Sequence, residues 1–146
     1  HPAELFGIMR GHADPFRFTG SAAILRRIDE SRRADLESAR TSAPALGSPG
    51  AAMYILPDAA WSRRVRGAFG NELALAHPAR AHAVLTPDGQ QGYTVSVRAP
   101  IARPMGADAL CREFATGGGR EAAAGINHLP ADRLGAFRRR FERAFP

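Results

Sequence analysis

Apolar residues return at helical spacing at the start of the chain, where Leu5, Ile8 and Met9 predict a short helix over Pro2 to Met9. The next stretch, GHADPFRFTG, has no such period, and its Asp14-Pro15 step favours a turn-rich connector. Ser21 is a suitable N-cap for a long helix from about Ala22 to Ala39. Leu25, Ile28, Leu36 and Ala39 would form its apolar stripe, interrupted by Arg32, with Asp29 and Arg33 placed to pair on its surface. TSAPALGSPG (41–50) has loop composition and marks the expected internal boundary.

Beyond residue 50 the pattern alternates between strands and helices. AAMYILP (51–57) has strand character and stops at Pro57. A loop or partial helix around Trp61 is expected next, then a helix entered through GAFGNELALAH. AHAVLTP (81–87) and GYTVSVRAP (92–100) read as two strands of a hairpin joined by DGQQG. GADALCREFA predicts a short helix with Ala107, Leu110, Cys111 and Phe114 on one face, and a short strand at AGINHL follows a glycine run. Pro130 suits the first turn of a last helix. Leu134, Phe137, Phe141 and Phe145 would be its inner face, with Arg138, Arg139, Arg140 and Arg143 outside. The expected fold is α/β of the α+β kind: a small mixed β-sheet with flanking helices, preceded by an N-terminal helical connector.

Composition narrows the function classes. The 146 residues suffice for one domain with a real core, and a hydrophobic content of 45% argues against a disordered chain. No apolar run reaches the ~20 residues of a membrane span, so no membrane partner is expected. Because it begins with His1 and not Met, the chain is expected to be an excised or processed piece. A single cysteine, Cys111, excludes an internal disulfide and fits a reducing, cytoplasmic location. Lying on the apolar side of its helix, it is expected to be a structural thiol and not a nucleophile. The net charge is +6, and all 20 basic residues are arginine. Guanidinium groups bind phosphate in a planar, bidentate way, which admits a phosphorylated or nucleic-acid partner. A GC-rich genome writing arginine in place of lysine accounts for most of them equally well.

Two segments carry candidate chemistry. In an extended strand alternate side chains share a face, so Tyr93, Val95 and Val97 point one way and Thr94, Ser96 and Arg98 the other. Ser96 and Arg98 thus project together as donors suited to an oxyanion, although an ordinary half-solvated strand has the same pattern. The second segment, TGGGREAAAG (116–125), places Gly117, Gly118 and Gly119 beside the fixed charge of Arg120. Such a run brings another molecule close to the backbone and can expose successive N–H groups to an anion. A flexible linker has the same look, but here the run joins an apolar helix directly to another ordered segment.

Together, SVRAP (96–100) and GGGREAAAG (117–125) resemble the C-terminal, DHH-associated substrate-binding domain of bacterial DHH-family phosphoesterases. That family includes single-strand exonucleases, oligoribonucleases and phosphatases of phosphoadenosine phosphate. The family pattern is a serine-x-arginine strand followed by GGGHxxAAG, and this chain carries a GGGR motif with Arg120 at the histidine position. GAFGNELA (67–74) resembles the helix entry that faces the terminal phosphate, which would place Asn71 near the site. The resemblance implies that residues 50–146 form the substrate-binding domain. Residues 1–49 would be the helical connector and tail of a separate N-terminal catalytic DHH domain. It implies substrate contacts at Ser96, Arg98, Gly117, Gly118, Gly119, Arg120 and Asn71, and catalysis between the two domains.

The same resemblance implies a two-metal, usually manganese, centre in the intact protein. No Asp-His-His triplet occurs in this chain; His12 and Asp14 are its only close His/Asp pair, and His77, His82 and His128 are scattered. No cofactor and no hydrolysis are therefore expected of this chain by itself. Arginine in place of histidine keeps phosphate clamping but removes any acid role at position 120. The expected partners are a phosphorylated small molecule or short oligonucleotide and the catalytic domain, and a homodimer is allowed. Two other readings compete. One is a stand-alone single-strand nucleic-acid-binding module, for which only Tyr54 and Tyr93 are strand aromatics. The other is an acyl-CoA-dependent transferase, whose pyrophosphate loop is approached by Arg64-Val65-Arg66-Gly67-Ala68-Phe69 but fails at the last position.

Overall fold

The computed structural model describes residues 2–14, 16, 18–19 and 23–146. Pro15 of the expected turn, Ser21 as the expected cap and Ala22 lie outside the described residues. The chain divides into two compact units, His1–Ala34 and Asp35–Pro146.

The first unit holds α1 (Pro2–Met9) and most of α2 (Ala23–Arg40), within which the division falls. α1 has the expected bounds. The connector differs: positions 16, 18 and 19 are helical, because Asp14 caps them. Its Oδ1 accepts the Phe16 N–H at 2.9 Å and its carbonyl accepts that of Phe18 at 3.1 Å. On α2, Asp29 pairs with Arg33 at 2.7 Å, as the spacing predicts, and also with Arg32 at 3.1 Å. The stripe is less uniform than its period: Leu36 and Ala39 are buried, whereas Ile28 is exposed.

The second unit is built on one six-stranded mixed sheet with the order β1-β2-β3-β4-β6-β5. Its strands are β1 (Leu46–Gly47), β2 (Ala51–Ile55), β3 (Ala81–Pro87), β4 (Gly92–Arg98), β5 (Gly117–Arg120) and β6 (Ala123–Pro130). β2 and β3 are parallel and joined by the helix α3 (Ala60–Ala76); the remaining neighbours are antiparallel. The expected hairpin is β3–β4, turning through Gly89 and Gln91, both with positive φ.

Alternation sorts the side chains onto two faces. Val95 and Val97 of β4 lie with Ala83, Leu85 and Ile126 under α4 (Ala107–Arg112) and α5 (Leu134–Ala144). As expected, Leu110 and Cys111 of α4 with Phe114 just beyond it, and Phe137 and Phe141 of α5 with Phe145 just beyond it, seal this core. Each such buried side chain contributes about 1.5–3 kcal/mol. The opposite face receives α3, whose Val65 and Phe69 pack on Val84, Leu56, Leu36 and Ala39.

Four local expectations are corrected. Residues 41–50 are not wholly loop, since Leu46–Gly47 pairs with β2, a two-residue edge too short to show a period. Trp61 does not lie in a separate loop: 60–76 is one helix, closed at its start by the Ser62 hydroxyl against the carbonyls of Pro57 (2.6 Å) and Ala59 (2.7 Å). Pro130 ends β6 and precedes a 3-10 turn, Ala131–Arg133, instead of opening α5 itself. The glycine run is a strand, not a loop, paired along its whole length with β6.

Candidate functional site

Arg98 closes β4 on the α3 side of the sheet. Its Nε donates to Asn71 Oδ1 at 2.7 Å, and its Nη1 donates to Ser96 Oγ at 2.9 Å and the Val97 carbonyl at 3.1 Å. A longer contact runs from Nη2 to the Gly67 carbonyl at 3.4 Å. Gly67 and Gly70 face this side chain from α3: a Cβ at either would stand 3.7–3.8 Å from Arg98 side-chain atoms, an ordinary contact distance. Three of the sequence candidates, Asn71, Ser96 and Arg98, are therefore one hydrogen-bonded cluster.

Every acceptor around Arg98 is neutral. The side chain is half-buried, and among the described residues no carboxylate pairs with it. Burial, and after it the charge of Arg120, holds the Arg98 guanidinium below the usual arginine range. A cation that has lost water without gaining an anion is costly to hold. The cluster also keeps donors in reserve: Ser96 accepts from Arg98, so its own proton is free, and the Asn71 amide nitrogen is not engaged among the described residues.

The sheet register brings the glycine run to the same place. Ser96 is the Cα partner of Gly125, and Gly125 of Gly118; Arg98 is the partner of Ala123, and Ala123 of Arg120. Partners in adjacent antiparallel strands share a face, so Ser96, Arg98, Gly118 and Arg120 all belong to the α3 side. The Arg120 side chain is exposed and makes no hydrogen bond or ion pair among the described residues.

The three glycines have different reasons. A Cβ at Gly117 would overlap the Cys111 carbonyl, on the opposite side of the sheet. Gly119 has φ +146, and a Cβ there would be 2.5 Å from Ala124 Cα. At Gly118 a Cβ would meet nothing within 4 Å, so its missing side chain leaves open space in the Ser96 row, next to the row of Arg98 and Arg120. An extended strand points successive N–H groups in opposite directions, so no concavity of consecutive N–H groups forms. The contribution of Gly118 is room.

The sequence reading has Arg66 only in the pyrophosphate-loop candidate 64–69 and not among the phosphate contacts. Arg66 is half-buried on α3, with Nη1 donating to Thr86 Oγ1 at 2.8 Å. Its signal is the i, i+4 spacing to Gly70 on one side of a helix, hidden where 58–66 has the composition of a loop.

Other candidates are placed elsewhere. Tyr54 packs edge-on against Phe69 and Tyr93 against the core, so neither is presented for base stacking. Arg64 is held by Asp35 at 2.7 and 3.0 Å within α3, which leaves no pyrophosphate loop at 64–69. Cys111 is fully buried, and burial, with the Asp108 charge second, pushes its thiol up to about 12. Among the described residues, no three His, Cys, Asp or Glu side chains converge as metal ligands.

No sequence-family profile matches this chain, and no curated protein sequence does. Solved structures share its fold. RecJ from Thermus thermophilus in complex with Mg2+ is 21% identical with a TM-score of 0.66, over 90% of this chain and 21% of RecJ. The DHH domain of a protein assigned to a family of ribosomal proteins is 11% identical at TM-score 0.56, over 82% of this chain and 31% of that one. The pGpG-specific phosphodiesterase PggH from Vibrio cholerae is 11% identical at TM-score 0.58, over 91% and 46%. This chain therefore has a fold found in DHH-family proteins, as the GGGR segment and the Ser96-Arg98 strand implied. It spans about a fifth of RecJ's length and under half of PggH's.

Proposed function

We propose that residues 50–146 are the substrate-binding domain of a DHH-type phosphoesterase, gripping a phosphate or nucleotide end for hydrolysis by a separate N-terminal domain. Residues 1–49 would then be the helical connector to that domain. The observation that carries this reading is Arg98: a half-buried guanidinium held only by neutral acceptors, beside a second unpaired arginine and an open floor at Gly118.

Each residue has a part in the grip. Arg98 and Arg120 neutralise the phosphate with charges that persist at any physiological pH. Asn71 Oδ1 holds the plane of the Arg98 guanidinium, while the Asn71 amide and the Ser96 hydroxyl donate to phosphate oxygens. Gly118 lets the phosphate settle onto the sheet. The likeness to RecJ, solved with Mg2+ or Mn2+, and to PggH, a phosphodiesterase, supports phosphoester chemistry in the intact protein. The implied two-metal manganese centre has no ligand set among the described residues here, so no hydrolytic step is assigned to this chain.

Calorimetric titration of the chain with a 5′-phosphorylated dinucleotide tests the reading. Saturable binding that is lost in both Arg98→Ala and Arg120→Ala is expected. Binding that survives both substitutions would overturn it, as would the absence of binding to the unaltered chain at millimolar ligand.

A further inference from the structure

Arg66 is the arginine that the grip on a terminal phosphate does not use, and its surroundings repeat those of Arg98. The side chain is half-buried on α3, and no carboxylate pairs with it among the described residues. Its hydrogen-bond acceptor is neutral: the hydroxyl of Thr86, itself fully buried. Thr86 accepts that bond and, being fully buried, anchors the guanidinium, while four of the five guanidinium N–H groups of Arg66 have no acceptor among the described residues. Burial holds the group below the usual arginine range, without the help of a neighbouring cation.

Register fixes where this second cation stands. Val84 is the Cα partner of Ser96 and Thr86 the partner of Thr94, all on the α3 side of the sheet. Thr86 is thus one strand over and two residues along from Ser96, a separation of about 8 Å from strand rise and strand spacing. Arg98 is anchored at Ser96 and Arg66 at Thr86. These separate anchors hold the two guanidinium groups at distinct positions on the same face of the sheet, Arg98 in the row of Arg120 and Arg66 one strand away on the other side. Both guanidinium groups lie along α3, since Gly67 and Gly70, next in sequence and one turn on from Arg66, are the residues that flank Arg98.

The geometry points to a second anion subsite at Arg66 and Thr86, one strand step from the terminal-phosphate grip, that takes the next phosphate of a 5′-phosphorylated dinucleotide or longer strand. The inference rests on the function proposed above and deepens it. A single phosphomonoester fills only the Arg98–Arg120 position, whereas a chain with phosphates one nucleotide repeat apart engages both. The site would read substrate length through charge spacing, and Arg66 would be its specificity-determining residue.

The test compares a nucleoside 5′-monophosphate with a 5′-phosphorylated dinucleotide by calorimetry on the full chain, for the unaltered protein, Arg66→Gln and Thr86→Val. Losing a charge-assisted hydrogen bond predicts that Arg66→Gln weakens the dinucleotide roughly ten- to hundredfold and leaves the monophosphate within about twofold. Intact monophosphate binding also reports that the variant has folded. Should Arg66→Gln unfold, Thr86→Val decides, and it must weaken the dinucleotide selectively. Unchanged dinucleotide affinity would overturn the second subsite while leaving the terminal grip standing. Equal loss of both ligands in a folded variant would assign Arg66 to the terminal grip and overturn the length reading. If the unaltered chain binds neither ligand, the terminal grip and the subsite fail together.

Discussion

A single methyl group added in turn to Gly117, Gly118 and Gly119 should give two opposite results. Gly118→Ala places its Cβ in open space at an ordinary backbone conformation. Its folded state loses nothing while its unfolded chain becomes stiffer, which is worth about 0.4–1 kcal/mol of added stability. For a chain of this size that raises Tm by about 2–4 °C per kcal/mol. The same methyl stands on the floor in the Ser96 row, next to the row that holds both Arg98 and Arg120. It would hold a phosphate away from both guanidinium groups, so affinity should fall roughly ten- to hundredfold, the worth of one charge-assisted hydrogen bond. Gly117→Ala drives a Cβ into the Cys111 carbonyl, and Gly119→Ala combines φ +146 with a 2.5 Å contact to Ala124 Cα. Both should destabilise by more than about 2 kcal/mol and lower Tm. Thermal unfolding and titration with the phosphorylated dinucleotide, on all three variants, decide the matter. If Gly118→Ala unfolds as readily as Gly117→Ala, the facing of the strand is wrong. If it folds and binds with unchanged affinity, no ligand rests on that floor.

Two predictions concern buried groups that the grip does not use, one of them His82, the cross-strand partner of Arg98. His82 is fully buried with neither ring nitrogen hydrogen-bonded, and burial pushes its pKa down to about 4. The backbone of His77 opposes this without reaching ordinary hydrogen-bond geometry, and the charges of His77 and Arg80 add to the lowering. An unfolded imidazole titrates near 6.5, so the unfolded state takes up the proton first. Stability should be full above about pH 6.5 and fall by about 3 kcal/mol as pH drops to about 4. Urea unfolding at a series of pH values should show this decline in the unaltered protein and a much flatter profile in His82→Leu; equal slopes would refute the assignment. Cys111, pushed up to about 12 by burial and then by Asp108, should resist a disulfide reagent at pH 8 and react once the chain is unfolded in urea. Rapid modification of the native protein would contradict its burial.

The sheet is legible in the sequence where side chains alternate between two environments. In β4, period alone assigns Tyr93, Val95 and Val97 to one face and Thr94, Ser96 and Arg98 to the other, and the structure keeps that division. The inner face of α5 is equally plain, because Phe137 and Phe141, with Phe145 just past its end, leave little choice about which side turns inward. Legibility fails where local composition and packing disagree. SRRVRG looks like loop, being polar and glycine-ended, yet Val65 and Phe69 are one turn apart and bury together against Val84. That contact carries the helix through the polar stretch, which no window over 58–66 contains.

The site is half legible for a related reason. Ser96 and Arg98 are two residues apart in one strand, so alternation alone places them together. Their link to Gly118 and Arg120 runs through Gly125 and Ala123, side chains too small to announce any contact, and only the register across three strands makes it. In the sequence the three glycines are equivalent; in the fold two are required by close backbone approach and one is required by nothing the described residues contain. Gly118 is thus the position whose identity the folded chain does not explain by itself. A missing side chain that serves no packing, beside two arginines that have no anion among the described residues, is what the phosphate grip proposed above requires.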